Sequence, residues 1–218
     1  MSWKDAVFRD FSLYAVTDIQ QEGTEILQSV AGAYRGGVDI VQLRSKLLSD
    51  AALIRLGLAI RKIAQKQRKL FFMNDRVDLA VATGADGVHL GQDDMPLAMA
   101  RALIRKSGLK MWVGKSTHSL RQALAAVKEG ADYIGVGPVF ATPTKPHARS
   151  VGLGFVRQAA ANVRIPWVAI GGIDHENIAE VVQAGAGRVA VVRAIFATKN
   201  AEISAKKLKL KLKGIRHV

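Results

Sequence analysis

Short apolar segments rich in β-branched and aromatic residues recur along this sequence at intervals of roughly 20 to 30 residues. Ala- and Leu-rich stretches lie between most of them, and in 51–66 the apolar residues recur close to the helical period. Short apolar runs of this kind are typical of strands buried in a parallel sheet. The eight segments are LYAVT (13–17), DIVQLR (39–44), LFFMN (70–74), DGVHL (86–90), KMWVGKS (110–116), YIGVG (133–137), PWVAIGG (166–172) and RVAVV (188–192).

Eight strands that alternate with helices in 218 residues predict an α/β fold, a single-domain (β/α)8 TIM barrel. The alternative is an open doubly wound sheet, whose dinucleotide-binding form carries G-x-G-x-x-G after its first strand. Here the first segment continues as LYAVTDIQQEG (13–23), which favours the barrel. Because no Pro- or Ser-rich linker interrupts the sequence, we predict one domain over 1–218.

A basic tail is predicted from about residue 209. The pattern KLKLKLK (207–213) has a period of two, which is typical of a strand rather than a helix. We therefore expect the closing helix to form mainly from 194–197 and 203–208. Residues beyond about Leu210 should be weakly packed or extended, with solvated lysines.

Composition limits the class of protein. The sequence has no cysteine, which excludes disulfides, a thiolate nucleophile and Cys-based metal sites. It contains no apolar run long enough to span a membrane and no signal-peptide pattern, so a cytoplasmic protein is expected. The formal charge of +14 suits an anionic ligand or nucleic acid. The tail lacks interleaved aromatic residues, so nucleic acid is not the expected partner.

Polar residues follow the predicted strands, and in a (β/α)8 barrel catalytic residues lie at the carboxyl ends of the strands. Gln42, Arg44 and Lys46 end the second strand at alternate positions, so their side chains share one face. A guanidinium and an ammonium on one face suit a phosphate or diphosphate. The alternative is an exposed strand end with solvated charges.

Two carboxylates follow the third and fourth strands. Asp75 and Asp94 should lie on one rim of the barrel, where two unpaired carboxylates repel unless they share a cation. With no cysteine available, hard oxygen ligands favour Mg2+. The alternative is that each caps a helix, since Asp94 precedes a helix with Pro96 near its first turn and Asp75 precedes one that begins near Val77.

The remaining strand ends add hydroxyls, a lysine and glycines. Ser116 ends the fifth strand, and the long loop after the sixth carries Thr142, Thr144 and Lys145. Such a loop is typical of a lid or binding loop, and the alternative is a flexible basic loop. The seventh strand ends in Gly171 and Gly172, where backbone N–H groups can approach a phosphate, unless the glycines serve packing alone.

Taken in their order along the chain, these motifs resemble those of the thiamine-phosphate synthase family (thiamin-phosphate pyrophosphorylase). The matching stretches cover about 85% of the chain, from Leu13 to roughly Ala197. The resemblance implies a transferase that joins hydroxymethylpyrimidine diphosphate to hydroxyethylthiazole phosphate and releases diphosphate. The stretches are LYAVTD, GGVDIVQLRSK, NDRVDLA, GADGVHLGQDD, STHS, GADYIGVGPVFATPTK, VGL and VAIGGI…N…GAGRVAVV.

The family pattern also implies roles for individual residues. Asp75 and Asp94 would bind Mg2+, and Lys145, Ser116 and Arg44 would be catalytic. The family commonly has Ser where this sequence has Arg193, which leaves thiazole-phosphate affinity open. The residues that would bind the two phosphorylated substrates are Gln42, Leu43, Arg44, Ser45, Lys46, Asn74, Ser116, Thr142, Pro143, Thr144, Lys145, Gly172, Val192 and Arg193.

Two other functions remain as alternatives. A thiazole tautomerase of the same superfamily would use His118 or His147 as an acid–base group and would not need the metal and diphosphate residues. From a different class, a basic nucleic-acid-binding barrel would rest on the charge alone. A homo-oligomer is possible under each interpretation.

Overall fold

The computed structural model describes residues 2–20, 23–143 and 149–214. Eight parallel strands close into a barrel in chain order, with β8 paired to β1. All eight predicted strands are present, so the predicted (β/α)8 TIM barrel is confirmed. The strands are β1 (Leu13–Val16), β2 (Ile40–Leu43), β3 (Leu70–Asn74), β4 (Gly87–Leu90), β5 (Trp112–Thr117), β6 (Tyr133–Val136), β7 (Trp167–Ile170) and β8 (Val189–Val191).

Helices surround the barrel and cover its outer face. Among the residues that the structure describes, no helix is long and apolar enough to cross a membrane. The helices are α1 (Trp3–Asp10), α2 (Thr24–Arg35), α3 (Asp50–Lys66), α4 (Val77–Thr83), α5 (Leu97–Lys106), α6 (Leu120–Lys128), α7 (Gly152–Asn162), α8 (Ile178–Gln183), α9 (Arg193–Phe196) and α10 (Ala201–Gly214).

The amino-terminal helix α1 fills the barrel at the amino ends of the strands. Phe8 on α1 stacks on Trp112 at a ring separation of 4.4 Å and on Phe72 at 6.3 Å. Both rings belong to strand residues that face the barrel interior with Tyr133. Because aromatic packing closes this end, the remaining interior space lies toward the carboxyl ends of the strands.

Strand alternation decides which side chains can reach that space. On β2, Ile40 belongs to the cluster inside the barrel, whereas Val41 and Leu43 pack into the layer between barrel and helices. Gln42 and Arg44 share the inward direction of Ile40 because alternate residues of a strand point to the same face.

The carboxyl-terminal segment is helical, so the prediction of a weakly packed tail is wrong. Helix α10 continues to Gly214 without a break. Leu208 and Leu212 are four residues apart, lie on one face of the helix and are almost fully buried. Leu210 falls on the opposite face and is 60% exposed. On a helix, the two-residue alternation divides the leucines between both faces, and the inner pair is enough to anchor the helix.

A buried ion pair adds to this anchor. The ammonium of Lys209 pairs with the carboxylate of Asp39 and donates to Ser12 Oγ at 2.8 Å. Asp39 also accepts from Lys69 Nζ at 3.1 Å and from the backbone N–H of Ser12 and Leu13. Burial opposes the ionised form of Asp39, but the two lysines outweigh this effect and lower its pKa. The last helix is therefore tied to the residues that precede β1 and β2.

Candidate active site

A cavity of about 510 Å³ opens at the carboxyl ends of the strands. Its walls combine inward-facing strand residues with the loops that follow β5 to β8. Some of the residues predicted to form the site line this cavity. These members are Gln42, Arg44, Asn74, Ser116, Thr142, Pro143, Gly172, Val192 and Arg193.

Side chains at the end of β2 point in two directions. Gln42 and Arg44 are buried and line the cavity, and Arg44 Nη1 pairs with the carboxylate of Asp18 beyond β1. Leu43 instead packs beneath the helices, and Ser45 Oγ donates to the Ile19 carbonyl at 2.7 Å. The side chains of Leu43 and Ser45 therefore support the β2 loop rather than face the cavity.

Asp75 and Asp94 lie together on the rim, and neither caps a helix. The N-cap positions of α4 and α5 are Arg76 and Pro96, and neither makes a side-chain cap hydrogen bond. The carboxyls of Asp75 and Asp94 instead hydrogen-bond each other. Asp75 Oδ2 also accepts from Lys46 Nζ at 2.8 Å. The capping alternative for both residues is therefore wrong.

The two carboxyls differ in their affinity for a proton. Burial raises the pKa of Asp94, and its hydrogen bond with Asp75 raises it further. Burial also acts upward on the pKa of Asp75, but its hydrogen bonds with Asp94 and Lys46 outweigh this effect, and the net shift is downward. Asp94 is therefore the more readily protonated member of the pair. Two carboxylates this close repel each other when both are ionised, and a cation bound between them would relieve that repulsion.

The donor set fits a hard cation that completes its coordination with substrate or water. Among residues 2–20, 23–143 and 149–214, no three His, Cys, Asp or Glu side chains group as a metal cluster. Mg2+ typically binds through one or two carboxylates together with substrate phosphates, so two carboxylates suffice. Asp75 has a backbone φ of 59°, a left-handed conformation that Asp and Asn adopt more readily than other non-glycine residues.

Arg76 and Asp78 form a local charge pair beside this carboxylate pair. Arg76 Nε donates to Asp78 at 2.9 Å, and its two terminal nitrogens also bind Asp50 at 2.6 and 2.8 Å. The guanidinium therefore joins the start of α3 to the start of α4. This contact fixes the loop that carries Asp75.

The turn after β7 requires glycine for packing. Gly171 and Gly172 have φ values of 103° and 64°, where other residues are strained. A Cβ on Gly171 would lie 2.4 Å from Pro138, and one on Gly172 would lie 2.6 Å from the Ala141 carbonyl. The packing alternative therefore explains the glycines, and the same turn lines the cavity with its backbone.

The loop after β6 is described only in part. Thr142 and Pro143 line the cavity, whereas Thr144, Lys145 and His147 lie outside the described residues. His118 also lines the cavity, with its Nδ1 2.5 Å from the Gly137 carbonyl. That contact occupies one ring nitrogen of His118, one of the two histidines that the tautomerase alternative could use.

Three residues at the cavity floor were not predicted from the sequence. Tyr14 on β1, His89 on β4 and Tyr133 on β6 line the cavity and hydrogen-bond one another. They connect Gln42 to Ser116. Each occupies an inward-facing strand position, and a polar residue at such a position was the available signal.

A family model, sequence relatives and a solved structure point to one family. A sequence model described as thiamine monophosphate synthase matches residues 13–195. The thiamine-phosphate synthase of Chloroflexus aurantiacus is 45% identical over 202 residues, which cover 92% of this chain and 92% of that protein. The solved structure of a thiamine phosphate pyrophosphorylase from Pyrococcus furiosus superposes with a TM-score of 0.85 at 35% identity, and the match covers 94% of this chain and 97% of that one.

Other relatives are longer. The thiamine-phosphate synthase of Synechocystis sp. is 48% identical over 189 residues, which cover 87% of this chain but 53% of that protein. The relative from Gloeobacter violaceus is 48% identical over 188 residues, with the same 53% coverage of its own length. This chain therefore spans about half the length of these relatives.

The fold and the site define the class: a (β/α)8-barrel protein with a cavity at the carboxyl ends of its strands, lined by cations and amides and flanked by paired carboxylates. The family follows from the match over residues 13–195 and from the 45% identity to a relative that is covered over 92% of its length. This chain belongs to the thiamine monophosphate synthase family.

Proposed function

We propose that this protein joins hydroxymethylpyrimidine diphosphate to hydroxyethylthiazole phosphate, giving thiamine phosphate and diphosphate. The observation that carries this proposal is the Asp75–Asp94 pair, bound by Lys46 at the rim of a cavity that Arg44 lines. Two cations and two carboxyls at one end of the cavity suit a diphosphate with its metal. The double-glycine turn and Arg193 lie at the other wall and suit a second, single phosphate.

The proposed reaction breaks the bond between the pyrimidine CH2 group and diphosphate, and the thiazole nitrogen then forms the new C–N bond. The amino group of the pyrimidine stabilises positive charge at that carbon, so the leaving group can depart first. The protein must hold and neutralise diphosphate and present the nitrogen nucleophile. No nucleophilic side chain is required.

The residues of this chain divide these tasks. Arg44, oriented by Asp18, and Lys46 bind the diphosphate oxygens, and Lys145 joins them by the family resemblance. Gln42 and Asn74 hold the pyrimidine diphosphate, with Ser116 as a further contact. Thr142 to Thr144, Gly172, Val192 and Arg193 form the thiazole-phosphate side.

Asp75 and Asp94 are the residues that would hold Mg2+. A bound Mg2+ supplies positive charge that neutralises the departing diphosphate. The hydrogen bonds with Asp94 and Lys46 lower the pKa of Asp75, which favours the ionised form that a metal ligand requires.

The side chain of Arg193 can be tested directly. Arg193→Ser should preserve turnover at saturating substrate and raise the KM for hydroxyethylthiazole phosphate by roughly three- to tenfold, because one charge-assisted contact to the phosphate is lost. Steady-state kinetics with each substrate varied in turn measure this effect. A loss of all activity in a folded variant would instead assign Arg193 to the chemical step.

The tautomerase alternative differs in its substrate requirement. A tautomerase would convert one thiazole tautomer alone, whereas the proposed synthase needs the pyrimidine diphosphate for any turnover. Incubating the protein with each substrate separately and then with both, followed by chromatography, separates the two functions. Conversion of the thiazole alone at a rate comparable to the two-substrate reaction would favour the tautomerase and His118.

The cellular setting is part of the same proposal. We place the protein in the cytoplasm, with two phosphorylated small molecules as its partners and a homo-oligomer as a possible assembly. The surplus of lysine and arginine is assigned to attraction of these anionic substrates rather than to nucleic acid. An electrophoretic shift with DNA or RNA that survives about 0.2 M salt would contradict this assignment.

A further inference from the structure

Five side chains form a continuous hydrogen-bonded series across the barrel interior, which we call the cross-barrel relay. Gln42 Nε2 lies 2.8 Å from Tyr14 Oη, which lies 3.0 Å from Tyr133 Oη. Tyr133 Oη lies 2.9 Å from His89 Nδ1, and His89 Nε2 lies 2.9 Å from Ser116 Oγ. The relay joins β2 to β5 beneath the cavity, so it connects two predicted substrate contacts on opposite walls.

Burial makes the proton positions in the relay interdependent. Tyr14 and Tyr133 are almost fully buried, at 1% and 0% exposure, so each hydroxyl must use its proton within the protein. Burial also raises the pKa of both hydroxyls well above the ordinary tyrosine value, so both remain protonated. Each tyrosine oxygen therefore donates one hydrogen bond.

The direction of donation follows from the amide of Gln42. Because Gln42 Nε2 donates to Tyr14, the Tyr14 proton is directed to Tyr133 Oη. Tyr133 then donates its own proton to His89 Nδ1. A neutral imidazole that accepts at Nδ1 carries its proton on Nε2, and this nitrogen faces Ser116 Oγ.

We propose that the relay makes His89 a positioning residue, which holds Ser116 with its hydroxyl proton directed into the cavity. His89 Nε2–H donates to Ser116 Oγ, so the serine proton is released for a bound ligand. This inference rests on the proposed function in one respect: the ligand acceptor would belong to the pyrimidine or its diphosphate. Ser116 then acts as a donor toward the substrate and not as a nucleophile.

The relay also couples the two walls of the cavity. Gln42→Glu replaces the donor at the start of the relay with an acceptor, so the Tyr14 hydroxyl should turn toward the introduced carboxylate. Tyr133 would then donate to Tyr14, and His89 would place its proton on Nδ1. Ser116 would donate to His89 Nε2 and offer only lone pairs to the cavity. A change on β2 should thereby reverse a hydrogen bond on β5.

Nitrogen NMR of the substrate-free protein tests the relay without any enzyme assay. The sequence has five histidines, so His89 can be assigned by comparison with His89→Gln. In the wild-type protein the ring proton should lie on Nε2, with Nδ1 unprotonated and accepting from Tyr133. In Gln42→Glu the proton should move to Nδ1. Addition of Tyr133→Phe to Gln42→Glu should abolish that move, because the relay is interrupted.

The result that overturns the inference is equally specific. A wild-type His89 protonated on Nδ1 or on both nitrogens, or an unchanged Nε2–H form in Gln42→Glu, would contradict the relay. These outcomes concern the free protein, so they are separate from any failure of the proposed reaction.

A kinetic comparison uses the third tyrosine as a matched control. Tyr34 is also buried, but its hydroxyl donates to the Leu70 carbonyl at 2.8 Å, outside the relay. Tyr133→Phe should lower kcat/KM for the pyrimidine diphosphate by roughly three- to tenfold, with the KM for the thiazole phosphate unchanged. Tyr34→Phe should leave both values within about twofold. Equal losses in both variants would show a general packing effect and contradict the positioning role.

Discussion

Asp75→Asn and Asp94→Asn should each lower turnover by about a hundredfold or more while the protein stays folded. Either change removes one of the two carboxylates that would hold Mg2+ beside the departing diphosphate. Asparagine is chosen because it keeps the side-chain size and tolerates the left-handed backbone of Asp75. Steady-state rates at several Mg2+ concentrations, with circular dichroism as a folding check, measure the effect.

Asp93→Asn provides the matched control for this experiment. Asp93 is adjacent to Asp94 in the sequence, but its side chain is exposed. The activity of Asp93→Asn should therefore remain within about twofold of that of the unmodified protein. Calorimetric titration with Mg2+ adds a readout that does not depend on turnover. Both asparagine variants at Asp75 and Asp94 should bind the ion more weakly than Asp93→Asn. Near-normal turnover of the two site variants at limiting Mg2+ would contradict the metal assignment.

Leu212→Ala should lower the free energy of unfolding by about 2–5 kcal/mol, the range for a large side chain removed from a packed core. Leu212 is 1% exposed and anchors the last turns of α10. Leu210→Ala should change stability by no more than about 0.5 kcal/mol, because Leu210 is 60% exposed on the opposite face. The two variants share the helix, the residue types and the loss of volume, so they differ mainly in burial.

Urea unfolding of both leucine variants gives this comparison. Similar small losses in both would mean that the end of α10 contributes little and that the extended tail expected from the sequence alternation is the better description. A large loss confined to Leu212→Ala would instead establish the helix as part of the barrel fold.

The barrel could be predicted from the sequence because buried parallel strands leave a strong local signal. Each strand is a short apolar run, and runs such as 70–74 and 133–137 match the observed strands within a residue or so. The carboxyl-terminal helix could not be predicted because KLKLKLK has the period of a strand. Its helical form depends on a tertiary contact, the burial of Leu208 and Leu212 against the barrel layer.

The candidate site was predictable where residues follow a strand end, and less so where contacts join distant segments. Gln42 and Arg44 were found from their alternate positions on β2. The partnership between Arg44 and Asp18 and the relay through Tyr14, His89 and Tyr133 involve residues that are far apart in sequence. Their spatial proximity follows from barrel closure, which the sequence pattern alone does not specify residue by residue.

The most direct test of the proposed activity supplies the purified protein with hydroxymethylpyrimidine diphosphate, hydroxyethylthiazole phosphate and Mg2+. Thiamine phosphate and diphosphate are then quantified in the same sample. Both products should accumulate in equal amounts, and thiamine phosphate should form only when both substrates are present. Absence of thiamine phosphate from a folded, Mg2+-supplied protein, or release of diphosphate without it, would contradict the proposed activity.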